Sequence, residues 1–185
     1  MIELVRTRRS IRKYRSESVP AESIALLVET LLRSPSSRNN RPWEFIIIDD
    51  RELLSELAQA KESGSQFLKN AALGIVVCAD SARSDVWIED CSVASILVQM
   101  AAHSLGLGSC WIQIRNRMHN ALTSSEEYIR GLLDIPPHLN VATIISIGLP
   151  DERKEPVAAG SLESGKVMRN RYGSQFIRNE GNQSR

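Results

Sequence analysis

Four short runs of β-branched and aromatic residues constrain this chain more than anything else in it. They are WEFIII at 43–48, LGIVVCA at 73–79, SCWIQI at 109–114 and VATIISIG at 141–148. Each reads as a strand. The segments between them carry helical periodicity. A short helix is expected over 2–9, with Ile2 and Val5 on one side and arginines on the other. Pro20 suits a helix start, with Ser18 as its cap, and Ile24, Leu27, Val28, Leu31 and Leu32 mark the buried side. Asp49 or Asp50 caps a helix to about Lys61 with Leu53, Leu54 and Leu57 inward, and Ser124 and Glu127 open another in a Ser-x-x-Glu start. The longest helix is expected over 84–105. Val93, Ile96, Leu97, Met100, Ala101 and Leu105 form its apolar stripe, read as core, and Ala94, Ala101 and Ala102 allow close approach.

Charge is distributed unevenly. The stretch from Arg6 to Arg15 holds six cations, with no acid between Glu3 and Glu17, in a chain whose formal charge is only +1. Arg forks match phosphate oxygens two at a time, and Ser10 adds a hydroxyl among them. If helical, the stretch would put Arg8 with Arg12 and Arg9 with Lys13 on shared faces. A phosphate seat and a solvated basic face both fit it. A polar loop, Pro35 to Pro42, sets two Ser, two Asn and two Arg between prolines, which suits a cradle for a polar ligand or a structural turn.

Composition narrows the function classes. With 185 residues, 42% hydrophobic and 24% charged, the chain has the make-up of one globular domain. Its near-neutral balance disfavours a general nucleic-acid binder. Cys78, Cys91 and Cys110 are odd in number and widely spaced, so reduced thiols and a cytoplasmic location are expected. Thr7 to Lys13 looks like a twin-arginine export signal, but Glu22 and Glu29 bracket the apolar run that follows and no Ala-x-Ala cleavage pattern comes directly after it. No apolar run approaches the ~20 residues of a membrane helix. The chain carries no Gly-x-Ser-x-Gly, His-Glu-x-x-His or phosphate-loop motif, and His103, His119 and His138 share no metal-ligand spacing. Gly106-x-Gly108 follows a helix and lacks the third glycine of a dinucleotide fingerprint. No metal site and no catalytic side chain is therefore expected. A phosphate-bearing organic cofactor that carries the chemistry itself would account for both the arginines and the polar loop.

Four stretches together resemble the nitroreductase family of flavoproteins: 8–14 (RRSIRKY), 35–43 (PSSRNNRPW), 106–112 (GLGSCWI) and 147–150 (IGLP). The resemblance implies an α+β fold with a central, mostly antiparallel sheet flanked by helices. It also implies a homodimer with an FMN at each of two sites built from both subunits. NADH or NADPH would reduce the flavin, which then passes electrons by a ping-pong route to a small acceptor such as a nitroaromatic or quinone. A flavin-binding sensor or carrier on the same fold is the alternative; neither a nucleic acid nor a membrane is implied as partner. By position, Arg8, Ser10 and Arg12 fall to the ribityl chain and phosphate, with Arg9 beside them. Pro35, Ser36, Ser37, Asn39 and Arg41 fall to the loop that touches the flavin of the partner-facing site, Gln113 and Ile114 to the ring N5, and Arg153 and Lys154 to further phosphate contacts. Residues 1–177 would make one domain, with 151–177 as a tail embracing the other subunit and 178–185 disordered. Residues 61–72 and 115–124 are expected to form a lid.

Overall fold

Where the sequence alternates strand and helix patterns, the described residues of the computed structural model form five α-helices, α1 (Ile2–Thr7), α2 (Ala21–Leu32), α3 (Arg51–Leu57), α4 (Trp87–Ser104) and α5 (Ser125–Leu132), around one sheet. It describes residues 1–176. The sheet strands are β1 (Trp43–Ile48), β2 (Leu73–Asp80), β3 (Gly108–Gln113) and β4 (Leu139–Gly148), in the order β1-β2-β4-β3 with every neighbour antiparallel. Met1–Glu155 forms one compact unit, and the segment from Pro156 a second.

Both faces of the sheet are covered, so the central strands β2 and β4 are buried nearly throughout and read as continuous apolar runs. Leu73, Ile75, Val77 and Ala79 face α2 and α4, while Val76 and Cys78 face α3 and α5. The register slips between Val77 and Cys78, which pair with Thr143 and Val141 and leave Ala142 as the extra residue. That bulge puts Ala142 on the α2/α4 side with Ile145 and Ile147, and Val141 on the other side with Ile144. The caps are local. Asp50 accepts from Glu52 N and Leu53 N, and Ser124 and Glu127 form the reciprocal box. Pro20 itself occupies the cap position of α2, with no side-chain cap, so Ser18 does not serve.

Helix α4 departs from the sequence reading. Its buried residues are Asp90, Cys91, Ala94, Ser95, Val98, Gln99 and Ala102, whereas Val93, Ile96 and Leu105 are 38%, 43% and 37% exposed. Apolar residues stand on more than one face of the helix, and the small side chains Cys91, Ala94, Ser95 and Ala102 are among those buried. Of the stripe read as core, Val93, Ile96 and Leu105 therefore point outward, Leu97 and Met100 are half-buried, and Ala101 packs on the core. Ile2 and Val5 of α1 are exposed as well.

The second unit contains two short 3-10 turns, Ala159–Ser161 and Ser164–Lys166, and a small hairpin. In the hairpin Phe176 N donates to Val167 O (2.9 Å), Met168 bridges Gln175, and Gly173 turns the chain at φ +85°. Ile177 as an anchor and the disorder expected over 178–185 lie outside the described residues. No helix among the described residues is long and apolar enough to cross a membrane.

Candidate functional site

The cationic stretch is not helical. Helix α1 ends at Thr7, and Arg8 is already extended (φ −60°, ψ 128°). From there the chain runs beside β3 and the end of β4. Ser10 bridges Ser109 in parallel, Ile11 N donates to Ser109 O (2.9 Å), Tyr14 bridges Pro150, and Arg15 N donates to Leu149 O (2.9 Å). Two side chains pin it. Ile11 is buried against Gly108, and the buried Tyr14 hydroxyl donates to Ile11 O (2.6 Å) and lies 2.7 Å from Ser146 Oγ. The cations therefore group differently from the helical expectation. Arg8 and Arg9 line a hollow; Arg12 leaves it and lies over the Phe67 ring, 5.7 Å from its centroid.

The hollow, about 330 Å³, lies between α1, the C-terminal end of α4, the Gly106–Ser109 turn and residues 150–154. Four cations line it, Arg8, Arg9, Arg153 and Lys154, against one acid, Glu152. Gly106 turns the backbone at φ +76° to leave α4. Lys154 Nζ donates to Ser10 O (2.7 Å), and Arg9 donates to Glu155 O. Glu152 braces the wall: its carboxylate accepts from Lys13 N (3.2 Å) and Arg12 N and pairs with Lys154 (3.2 Å). Desolvation works to raise the Glu152 carboxyl, and those donors overcome it and hold it below its ordinary value. Burial raises the Cys110 thiol, while Arg12, Ser10, Lys154 and Arg8 pull it the other way. An excess of guanidinium and ammonium groups in a concave wall fits a phosphate dianion.

Thr7, His103 and Glu152 belong to this hollow and were not among the residues the sequence marked. Thr7 Oγ1 donates to Glu3 O (2.8 Å) and so takes the hydrogen bond from His103 Nε2 (2.8 Å). His103 lies in the last turn of α4, where sequence offers only its nearness to Gly106 as a clue.

The polar loop is elsewhere. Pro35, Ser36, Ser37, Asn39 and Arg41 do not line the hollow. They follow α2 and meet the N-terminal turn of α4, where Ser37 N donates to Asp90 Oδ1 (2.7 Å). At about 1.5 Å per residue, the stretch of α4 from Asp90 to His103 sets loop and hollow about 20 Å apart. Three consecutive or near neighbours, Arg38, Asn39 and Arg41, have positive φ (50°, 56° and 46°). Gln113 and Ile114 close β3: Gln113 Nε2 donates to Arg115 O (2.9 Å), and Gln113 Oε1 accepts from Trp111 Nε1 (3.0 Å). The Ile114 N–H is directed to Ala142 O (3.3 Å), which it shares with Arg115 N. The two segments read as a lid meet: Glu62 N donates to Met118 O (3.4 Å), while His119 stacks on Tyr128 (4.1 Å) and its Nδ1 lies 2.8 Å from Gln59 O. Among the described residues no group of three or more His, Cys, Asp or Glu is placed to hold a metal ion.

An antiparallel α+β sheet with a cationic hollow at its end is the scaffold of a protein that takes a phosphate-bearing ligand. The nitroreductase family model matches residues 5–63 and 55–149, and the chain belongs to the nitroreductase family. An FMN-dependent nitroreductase from Clostridium difficile R20291 is similar to it at 46% identity and TM-score 0.91, over 93% of this chain and 100% of that one. A Methanothermobacter thermautotrophicus protein, provisionally named NADH dehydrogenase/NAD(P)H nitroreductase, is 37% identical over 82% of this chain and 78% of its own. An FMN reductase [NAD(P)H] from Bacillus subtilis is 25% identical over 83% and 67%. The expected nitroreductase-like fold, antiparallel and flanked by helices, is the one observed.

Proposed function

We propose that this chain is an FMN-dependent oxidoreductase that works as a cytoplasmic homodimer, taking reducing equivalents from NADH or NADPH and passing them by a ping-pong route to a small nitroaromatic or quinone-like acceptor. Relatives named as FMN-dependent nitroreductase and FMN reductase support the cofactor and donor. Bound FMN would supply the hydride-accepting ring, and the protein's part is to hold it. In this reading Arg8, Arg9, Arg153 and Lys154 hold the phosphate, with Ser10 and Arg12 along the ribityl chain and Gln113 and Ile114 beside the ring. Glu152 keeps the cations from repelling one another apart.

The observation that carries the reading is the separation of hollow and loop along α4. One flavin cannot touch both within a single chain. A second copy whose α4 crosses the first in the opposite sense would bring the loop residues Pro35, Ser36, Ser37, Asn39 and Arg41 of one copy to the hollow of the other. The outward stripe of α4, with Val93 and Ile96, supplies the apolar contact such a pairing needs. Apolar anchors in the segment after Pro156, among them Val167 and Phe176, suit a segment that lies on a partner. The domain reading, with 151–177 as an embracing tail, belongs to the same proposal.

A visible spectrum of the purified protein, followed by anaerobic NADH and then NADPH, tests it. A flavin band that bleaches on mixing is the expected result. A flavin band that stays makes the protein a binder without turnover, and a colourless protein that ignores added FMN removes the proposal.

A further inference from the structure

The polar loop is held in a conformation its own residues resist. Arg38, Asn39 and Arg41 all sit in the left-handed region, which side chains larger than glycine avoid unless their surroundings impose it. Inside the loop, Asn39 N donates to Ser36 O (3.1 Å), Asn40 N to Ser37 O (2.9 Å) and Arg41 N to Ser36 Oγ (2.8 Å), while Arg41 Nε takes Asn39 Oδ1 (2.9 Å). Arg83 caps Asn40 O from outside (3.1 Å). The bonds within the loop fix its shape, and Arg83 ties its C-terminal half to the chain after β2; its N-terminal half, at Ser37, needs another anchor. Ser36 precedes the 3-10 turn Ser37–Asn39 without capping it, because its hydroxyl is spent on Arg41 N.

The missing cap comes from another helix. Asp90, only 5% exposed in the first turn of α4, accepts from Ser37 N with Oδ1 (2.7 Å) and from Ser84 Oγ with Oδ2 (2.8 Å). A carboxylate this buried is tolerated only when its oxygens are met, and here the two donors come from two different loops. We infer that Asp90 is a positioning residue for the cofactor: it fastens the Ser36–Arg41 loop to the end of α4, and through it sets where Ser36, Asn39 and Arg41 meet the flavin. The inference rests on the flavin reading above. It assigns a role in cofactor binding to a residue that touches no cofactor itself.

Full-length protein, stripped of flavin and titrated with FMN, provides the test, with Asp90→Ala, Asp90→Asn, Ser84→Ala and Arg8→Ala beside wild type and far-UV circular dichroism as the check on folding. Asp90→Ala is expected to weaken FMN by about tenfold or more and to blur the fine structure of the long-wavelength band of bound flavin. Asp90→Asn keeps an oxygen for Ser37 N–H and is expected to restore both. A folded Asp90→Ala with wild-type affinity and spectrum overturns the inference. Should Asp90→Ala not fold, Ser84→Ala, which frees one side of the carboxylate, decides: about threefold weaker FMN upholds the inference and unchanged binding overturns it. If wild type itself takes up no FMN, the flavin reading falls; if wild type binds FMN and Arg8→Ala weakens that binding while the Asp90 and Ser84 variants do not, only the role of Asp90 falls.

Discussion

Ile11 and Gly108 lie so close that a Cβ on the glycine would stand 2.8 Å from Ile11 Cβ and Cγ2 and 3.0 Å from Cγ1. All three atoms belong to the branch nearest the backbone, which cannot swing aside. This contact presses the cationic segment onto the end of β3 and so sets the depth of the hollow. Gly108→Ala is expected to lower stability by about 1–3 kcal/mol, as overpacking does, and to weaken FMN retention as the segment lifts. Urea unfolding and flavin content of the purified variant check both; a variant with wild-type stability and full flavin would refute the contact's role.

Arg8 and Arg6 stand two residues apart with different surroundings. Arg8 lines the hollow, whereas Arg6 pairs with Glu3 at 3.3 Å on an open surface. Arg8→Ala should weaken FMN by at least about tenfold, in line with loss of a charge-assisted bond, and the remaining binding should fall further with added salt. Arg6→Ala should change stability by no more than about 0.5 kcal/mol and leave FMN binding alone. Equal effects from the two would mean that only the general positive field matters.

The elements were legible where local chemistry decides them. The four strand runs, the Asp50 cap and the Ser124–Glu127 box stand within a residue or two of their expected places because β-branching and side-chain capping act locally. The face of α4 was not legible: Cys91, Ala94, Val98 and Ala102 fit helical spacing as well as Val93, Ile96, Leu97 and Met100 do, and only contact with the sheet chooses between them. Nor could sequence foresee an extended Arg8–Arg12, since that conformation depends on Ser109 and Gly108, far along the chain. Asn39 tolerates a left-handed backbone, but nothing in Arg38 or Arg41 announces one. Asp90, Glu152 and His103 act through partners distant in sequence and therefore left no motif.

Buried thiols give the protein an alkaline limit. Burial pushes Cys78 and Cys91 up to about 12 from an ordinary 9.0. The folded chain thus keeps protons that the unfolded chain releases, so the stabilising effect is complete below pH 9.0 and is lost as pH rises from there towards 12. Each thiol contributes a slope of up to about 1.4 kcal/mol per pH unit in that window. Tyr14, raised above its usual value mainly by desolvation, adds to the loss at still higher pH. Urea midpoints taken from pH 8 upward, in steps of about half a unit, should fall steadily, and Cys91→Ala should fall less steeply whatever its starting stability. Parallel slopes for wild type and variant would show that this thiol is not protected.

Ile96 lies in the middle of the outward face of α4 and is 43% exposed. A charge there should leave the single chain folded, because the residue is not in its core. In a dimer paired through this face, the same charge would be buried opposite its own copy, and like charges without partners cost several kcal/mol at an interface. Ile96→Glu is therefore expected to give a folded monomer with a wild-type circular dichroism spectrum. With no second copy to bring its loop to the hollow, that monomer should bind FMN at least about tenfold more weakly. Light scattering coupled to size exclusion reads the first effect and flavin titration the second. A monomer that holds FMN normally would break the link between pairing and cofactor, and an undisturbed dimer would move the interface off α4.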